Sequence, residues 1–167
     1  LWAALMQAGA PHGITAIGSE ANHVLRVEKG FLSLGHEADG TVDPYDLGMG
    51  WAMARKKGDF IGLRSVLLRR DGTTRRRELV GLTPEDPQAQ MPEGAPITPG
   101  GRREASEGLV TACVHSVALG RWVGLGLIED TRARMGEVVR VRLPDRVIAA
   151  RVGPPVFHDP EGVRMRS

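Results

Sequence analysis

The feature that most constrains the fold is a change of pattern at about Glu78, after which short apolar segments alternate with turn residues. The segments with this pattern are 79–82, 108–117, 122–128, 138–143 and 147–152. The last two flank Pro144, Asp145 and Arg146, and this spacing predicts a tight hairpin. Several short strands of this kind, with a Pro-rich stretch before Gly101, are typical of a small antiparallel barrel or sandwich.

The first part of the chain is predicted to be mainly helical. Residues 1–11 follow helical spacing from the first position, and Gly9 and Pro11 are placed to stop that helix. A second helix is predicted to begin with Ser19 as its cap and to end at Gly30. Its apolar stripe is predicted to hold four positions with helical spacing: Ala21, Val24, Leu25 and Glu28.

A long connection rich in glycine follows this helix. Beyond it we predict a brief strand over 51–54 and a short helix over 60–68, ahead of an Asp-Gly turn at 71–72. The chain as a whole is therefore predicted to be α+β. We expect one module over 1–75 and a second, β-rich module over 76–167.

The composition predicts a globular fold and does not define a partner. An apolar share of 41% is enough for a core, while 22 basic and 20 acidic residues give a net charge of only +2. A nucleic-acid patch is conceivable around Arg69, Arg70, Arg75, Arg76 and Arg77, but aromatic residues make up only 4% and no nucleic-acid motif accompanies these arginines. A solvated hairpin or linker is the preferred interpretation, and we predict no nucleic-acid partner.

Metal, disulfide and membrane roles are not indicated either. Cys113 is a single cysteine within an apolar alternation and is interpreted as a small core residue. The histidines form none of the usual zinc-binding spacings, so no metal site is predicted. No apolar run reaches the length of a membrane span and no secretion signal is recognisable, so we expect a cytoplasmic protein. Because helical spacing begins at Leu1 without an initiator Met, we expect the chain to be cut from a larger domain.

Several motifs, in the right order, resemble the aminomethyltransferase or glycine cleavage T-protein superfamily. HVLRVEKGF resembles its Leu-Arg-Leu-Glu helix ending in Gly, TVDPYDLGMGW its Thr-x-x-Pro stretch, and DFIGLRSV its Phe-Ile-Gly helix start. GLVTACVHSVALGRWVGLGLI resembles its Gly-x-Val-Thr-Ser strand pair. Within the superfamily, KGFLSLGHEADGTVDPYDLGMGW and the ending RARMGEVVRVRLPDRVIAARVGPPVFHDPEG most resemble the alpha subunits of sarcosine oxidases.

This resemblance implies the end of a folate-binding middle domain followed by a small antiparallel β-barrel-like carboxy-terminal domain. It implies tetrahydrofolate as the cofactor, with FAD, FMN and NAD bound elsewhere in the full complex. Such a complex demethylates sarcosine oxidatively to glycine and passes the one-carbon unit to tetrahydrofolate as 5,10-methylenetetrahydrofolate. The implied partners are the other oxidase subunits and the amino-terminal part of the alpha subunit. Without that part, we expect the fragment to be inactive alone.

Three residues are candidate folate contacts by this resemblance. Arg26 matches the Arg of the helix motif, and its guanidinium can clamp a carboxylate with two hydrogen bonds; a surface pair with Glu20 or Glu28 is the alternative. Glu28 is expected to hold Arg26 or a neighbouring loop, a mainly structural role. Trp51 could form a wall against a flat ring, with core packing as the alternative. The catalytic Asp of the family precedes Leu1 in the family order, so no catalytic residue is assigned.

Two other functions remain open. An aminomethyltransferase or dimethylglycine dehydrogenase-type folate domain has the same architecture, although Ala112 and Val117 depart from the Ser and Pro of the T-protein motif. Thr111 and Ser116 match that motif and are expected to satisfy backbone groups. A non-catalytic folate-binding assembly protein shares the fold, but those relatives carry a Lys-Gly-Cys-x-x-Gly-Gln signature, whereas KKGDFIGLR lacks the cysteine.

Overall fold

The computed structural model describes residues 1–53, 58–69, 75–99, 105–164 and 166. The helices are α1 (Trp2–Gly9), α2 (Ser19–Glu28) and α3 (Leu63–Arg69), with 3-10 turns at Ala10–His12, Gly50–Ala52 and Thr131–Ala133. The strands are β1 (Arg77–Pro84), β2 (Pro96–Thr98), β3 (Gly108–Ser116), β4 (Arg121–Glu129), β5 (Val138–Arg142) and β6 (Val147–Gly153). The Asp-Gly turn predicted at 71–72 lies outside the described residues.

The six strands close into an antiparallel barrel in the order β1-β4-β3-β2-β5-β6, and β6 pairs back onto β1. The predicted antiparallel barrel is therefore confirmed. The predicted hairpin is also present, with Arg142 opposite Val147. Strand β2 was not predicted, because it has only three residues and lies in the Pro-rich stretch. Its Ile97 pairs with Gly108 on one side and Val141 on the other, so this short strand closes the barrel.

Two apolar clusters sit on opposite faces of the barrel wall. The inner cluster fills the barrel and includes Val80, Leu82, Met91, Ile97, Val110, Ile128, Val139, Val141, Ala150 and Val152. The outer cluster lies between the wall and the amino-terminal segment and includes Val27, Leu47, Leu79, Ala112, Val114, Val123, Leu125 and Leu127. Because β1, β3 and β4 are covered on both faces, they are apolar along most of their length.

Helix α2 ends in a Schellman motif at Gly30, as predicted from the glycine. The predicted cap at Ser19 is wrong, because Ser19 is the first helical residue and Gly18 is the N-cap, without a side-chain hydrogen bond. The N–H of Phe31 donates to the carbonyl of Arg26 and that of Gly30 to Val27, while Gly30 has a left-handed φ of 68°. The predicted buried face is partly wrong, because Leu25 is 51% exposed whereas Val27 is fully buried against the barrel. Because α2 packs against the outer cluster, its buried face differs from the stripe that helical spacing alone indicates.

The strand predicted over 51–54 is wrong. Trp51 lies in the 3-10 turn Gly50–Ala52, and Ala54 lies outside the described residues. The N–H of Met49 donates to Pro44 O at 2.7 Å and that of Ala52 to Met49 O at 2.9 Å. These successive turns satisfy the backbone locally, so the segment does not join the sheet. The short helix predicted over 60–68 is present and begins at Leu63, directly after Gly62.

Candidate functional site

Arg26 is held by acceptors on two sides of its guanidinium. Its Nη1 donates to Glu37 Oε2 at 2.9 Å and to the carbonyl of Phe31 at 3.3 Å, and its Nε donates to His23 Nδ1 at 3.2 Å. The side chain is only 11% exposed. The alternative of a surface pair with Glu20 or Glu28 is therefore wrong, because the partner is a buried carboxylate in the loop after the helix.

Glu37 is the residue that joins this helix to the barrel. It is fully buried, and its Oε2 accepts from the N–H of Ser33 at 3.0 Å as well as from Arg26. Its other oxygen, Oε1, accepts from the hydroxyl of Thr111 on β3 at 3.0 Å. A buried carboxylate needs such partners, since burying an unpaired charge is costly. Sequence reasoning did not identify Glu37; the only local signal was an acidic residue within a partly apolar loop.

Thr111 lies in a β-bulge on β3, and its hydroxyl contacts Glu37. The register with β4 shifts between Val110 and Ala112, so Thr111 is the extra residue. Val110 belongs to the inner cluster while Ala112 belongs to the outer one, as expected where a bulge changes the alternation. The prediction that Thr111 satisfies backbone groups is thus wrong, because its hydroxyl donates to the buried side chain of Glu37.

Two N–H groups of Arg26 have no partner. The guanidinium carries one donor on Nε and two each on Nη1 and Nη2. The three contacts above use Nε and Nη1, whereas Nη2 is buried and has no hydrogen-bond partner among the described residues. An orphaned, buried cationic donor is what an anionic or carbonyl group of a ligand could satisfy.

A cavity of about 380 Å³ lies beside Arg26. It is lined by Asn22, Leu25, Arg26, Glu28, Lys29, Phe31, His158, Asp159 and Arg164. Lys29 Nζ lies 3.5 Å from Asp159 Oδ2. Burial opposes ionisation of Asp159, but the N–H of Val163 and the charge of Lys29 outweigh it and lower its pKa. The cavity thus has both an apolar wall and several cationic side chains. Leu25 lies in this wall and not in the core.

Glu28 lines this cavity but does not hold Arg26. It is 5% exposed, and its Oε1 accepts from the hydroxyl of Ser116 at 2.6 Å. Ser116 in turn accepts from the N–H of Leu119 at 3.1 Å. The backbone carbonyl of Glu28 accepts from the N–H groups of Phe157 and His158, so Glu28 joins the helix to both the barrel and the tail.

Trp51 lies apart from this cavity. Its side chain is 78% exposed in the 3-10 turn Gly50–Ala52, and it is not among the cavity-lining residues. The alternative of core packing is therefore wrong. Its role as a wall against a flat ring stays a prediction.

The two histidines near Arg26 lie close to hydrogen-bonding groups and to Glu93. Since Arg26 always donates, the Nδ1 of His23 accepts, and the neutral ring carries its proton on Nε2, 4.0 Å from Glu93 Oε1. His36 Nδ1 lies 3.4 Å from Glu93 Oε2 and 3.3 Å from the carbonyl of Thr111. Within the part of the chain that the structure describes, no group of three or more acidic, His or Cys residues could hold a metal ion.

The arginines near the start of β1 are paired within the molecule. Arg76 binds Asp46 through Nε at 2.6 Å and lies 3.3 Å from Asp43. Arg75 and Arg77 lie 3.7 and 3.9 Å from Glu129. These three arginines thus have acidic neighbours, whereas Arg70 lies outside the described residues. No helix among the described residues is long and apolar enough to cross a membrane.

The two halves of the chain match two family models. The model "GCVT N-terminal domain" matches residues 1–57, and "Glycine cleavage T-protein C-terminal barrel domain" matches 77–159, the range that contains the barrel. The chain belongs to the aminomethyltransferase, or glycine cleavage T-protein, superfamily. Arg26 lies within the range matched by the first model, and the bulged strand β3 within that matched by the second.

Relatives of this superfamily member include sarcosine oxidase alpha subunits and aminomethyltransferases. The alpha subunit of sarcosine oxidase from Corynebacterium sp. (strain P-1) is 39% identical over 98% of this chain, which spans 17% of that subunit. The aminomethyltransferase of Halothermothrix orenii is 31% identical over 91% of this chain, which spans 41% of that protein. The structure of glycine cleavage system aminomethyltransferase T from Bartonella henselae aligns with 93% of this chain and 43% of its own, at a TM-score of 0.79 and 23% identity. This last likeness establishes the fold.

Proposed function

We propose that this chain is the folate-handling part of a sarcosine oxidase alpha subunit. The observation that carries the proposal is that Nη2 of Arg26 is buried and has no hydrogen-bond partner among the described residues. The cavity beside Arg26 is also lined by further cationic side chains. The identity of 39% to sarcosine oxidase alpha subunits over nearly the whole chain supports the choice of enzyme. The chain covers 17% of such a subunit, so the remaining activity belongs to parts outside it.

The residues at the cavity fit tetrahydrofolate. The coenzyme has an anionic glutamate tail and an amide-bearing ring system, which match a cationic donor and an apolar wall. Arg26 would bind it through Nη2, with Lys29 and Arg164 adding positive charge nearby. When bound, tetrahydrofolate supplies the nucleophilic nitrogen that accepts the one-carbon unit from sarcosine. Glu28 would keep the helix in place through Ser116, and we retain Trp51 as a further proposed contact.

The remaining features of the complete enzyme are part of the same proposal. FAD, FMN and NAD would be bound by other parts of the complex, with other oxidase subunits as partners. The folate-binding module would be 1–75 and the barrel module 76–167, a division supported by family models that end at 57 and start at 77. We also propose a cytoplasmic location, where reduced folates are used.

A second candidate is an aminomethyltransferase. It is supported by an aminomethyltransferase that is 31% identical to this chain. This chain covers 41% of that protein but only 17% of the oxidase alpha subunit. Ala112 and Val117 depart from the T-protein motif, which favours the first candidate. The two are separated by measuring whether sarcosine reduces a flavin in the full-length protein.

The test of the proposal is Arg26→Ala in the full-length protein. Loss of a hydrogen bond to a charged group, worth about 1.5–3 kcal/mol, predicts a rise of roughly tenfold to a hundredfold in the Kd for tetrahydrofolate. Flavin reduction by sarcosine should be unchanged. Arg151→Ala is the matched control, because Arg151 is an exposed barrel arginine paired with Glu85 at 3.1 Å. An unchanged Kd and an unchanged yield of 5,10-methylenetetrahydrofolate in the folded Arg26→Ala protein would remove Arg26 from the site.

A further inference from the structure

We infer that Glu37 is a positioning residue whose buried carboxylate sets the orientation of the Arg26 guanidinium and so directs Nη2 to the ligand. This inference rests on the proposed function, in which Arg26 contacts the folate. Glu37 itself would not touch the ligand, because both of its oxygens are occupied by protein donors.

The planarity of the guanidinium makes this control possible. All of its nitrogens lie in one plane, so fixing two of them fixes the third. Nη1 is fixed by Glu37 at 2.9 Å and Nε by His23 at 3.2 Å. The position of Nη2 therefore follows from the position of the Glu37 carboxylate, and it is the one nitrogen of Arg26 that these contacts leave without a partner.

Fold stability alone does not account for Glu37. A largely buried ion pair, such as Arg26 with Glu37, is often no more stabilising than an apolar pair of the same volume, because both charges lose hydration. Glu37 nevertheless sits at the junction of α2, the loop at Ser33 and strand β3. Because Glu37 contacts all three parts of the fold, it is suited to holding Arg26 in one orientation.

The bulge on β3 supports the same conclusion. Because Val110 faces the inner cluster, alternation places Thr111 on the outer side, and the bulge places Ala112 there as well. Thr111 donates to Glu37, while Ala112 belongs to the outer cluster with Val27. The barrel thus supports the carboxylate that in turn supports Arg26.

Glu37→Gln in the full-length protein is the test. The amide keeps the shape of the side chain, and its nitrogen can donate to the Thr111 hydroxyl while its oxygen still faces Arg26 and Ser33. Only the charge is lost, so Arg26 is held by a weaker, neutral acceptor. We expect the Kd for tetrahydrofolate to rise about tenfold. The matched control is Asp46→Asn, which removes the charge of another buried carboxylate paired with an arginine, Arg76, outside this network.

A double-mutant cycle separates positioning from a general structural effect. If Glu37 acts through Arg26, adding Glu37→Gln to Arg26→Ala should change the Kd by less than about twofold, because the group it positions is gone. Additive effects, or an equal loss of affinity in Asp46→Asn, would overturn the inference. A tenfold effect of Arg26→Ala with none of Glu37→Gln would refute positioning and leave the proposed function intact. No effect of Arg26→Ala would refute the proposed function itself.

A second variant keeps the inference testable if Glu37→Gln does not fold. Thr111→Val removes the hydroxyl that holds Oε1 of Glu37 and preserves the shape of the side chain. We expect it to raise the Kd about threefold while the ion pair with Arg26 remains. Thr131→Val is its control, since Thr131 is a buried threonine that donates to Ile128 O at 3.0 Å, on the barrel. An unchanged Kd in Thr111→Val, or an equal change in both variants, would count against the positioning role.

Discussion

Ser116→Ala tests how strongly the barrel holds the helix that carries Arg26. The Ser116 hydroxyl donates to the buried Oε1 of Glu28 at 2.6 Å and accepts from the N–H of Leu119 at 3.1 Å. Losing a hydrogen bond to a charged group costs about 1.5–3 kcal/mol, and losing a neutral one about 0.5–1.5 kcal/mol. We therefore expect the free energy of unfolding to fall by about 2–4 kcal/mol.

Urea unfolding of the purified protein, followed by circular dichroism and tryptophan fluorescence, measures this change. The denaturant midpoint should fall while the m-value stays constant, because the surface exposed on unfolding is unchanged. Ser106→Ala is the control: Ser106 donates at 2.7 Å to the neutral carbonyl of Gly108, so its loss should cost about 0.5–1.5 kcal/mol. Equal losses in both variants, or a loss below about 0.5 kcal/mol in Ser116→Ala, would refute the assignment of Ser116 as the main support of Glu28.

Two further predictions concern the barrel. A Cβ on Gly81 would lie 2.2 Å from Pro154 O and 2.9 Å from the Phe157 ring, so Gly81→Ala should destabilise the protein by about 1–3 kcal/mol in urea unfolding. Its register partner Gly153 has nothing within 4 Å of such a Cβ, so Gly153→Ala should change stability by no more than about 0.5 kcal/mol; equal effects would contradict the packing. Burial raises the pKa of the Cys113 thiol to about 11, so its reaction with a disulfide reagent at pH about 8 should be slow in the native protein, accelerate as the pH approaches that value, and be much faster in urea. Native and unfolded protein reacting at the same rate would contradict that environment.

Local patterns predicted most of the strands, because each strand has its own apolar alternation and flanking turn residues. The hairpin between β5 and β6 is an example, since the turn chemistry and both alternations lie within a short stretch. Strand β2 lacks such a pattern. It has three residues and exists because β3 and β5 offer it backbone partners on both sides, which are contacts between residues far apart in the chain.

The same distinction applies to the candidate site. Arg26 was identified because it lies in a family motif, and the end of its helix was predictable because Gly30 adopts a left-handed conformation that favours glycine. The partner of Arg26 was not predictable from helical spacing. Spacing favoured Glu20 or Glu28 on the same helix, whereas the structure brings Glu37 back from the following loop.

The sequence by itself determined the fold class, the family, the carboxy-terminal end of the helix that carries Arg26 and most barrel strands, because these depend on local periodicity, turn residues and ordered motifs. Only the tertiary structure decided that Glu37 pairs with Arg26, that Thr111 donates to Glu37, and that Nη2 has no partner among the described residues. These features depend on contacts between buried polar groups that are separated in the sequence. The contacts form when α2 packs on the barrel and water is excluded between them.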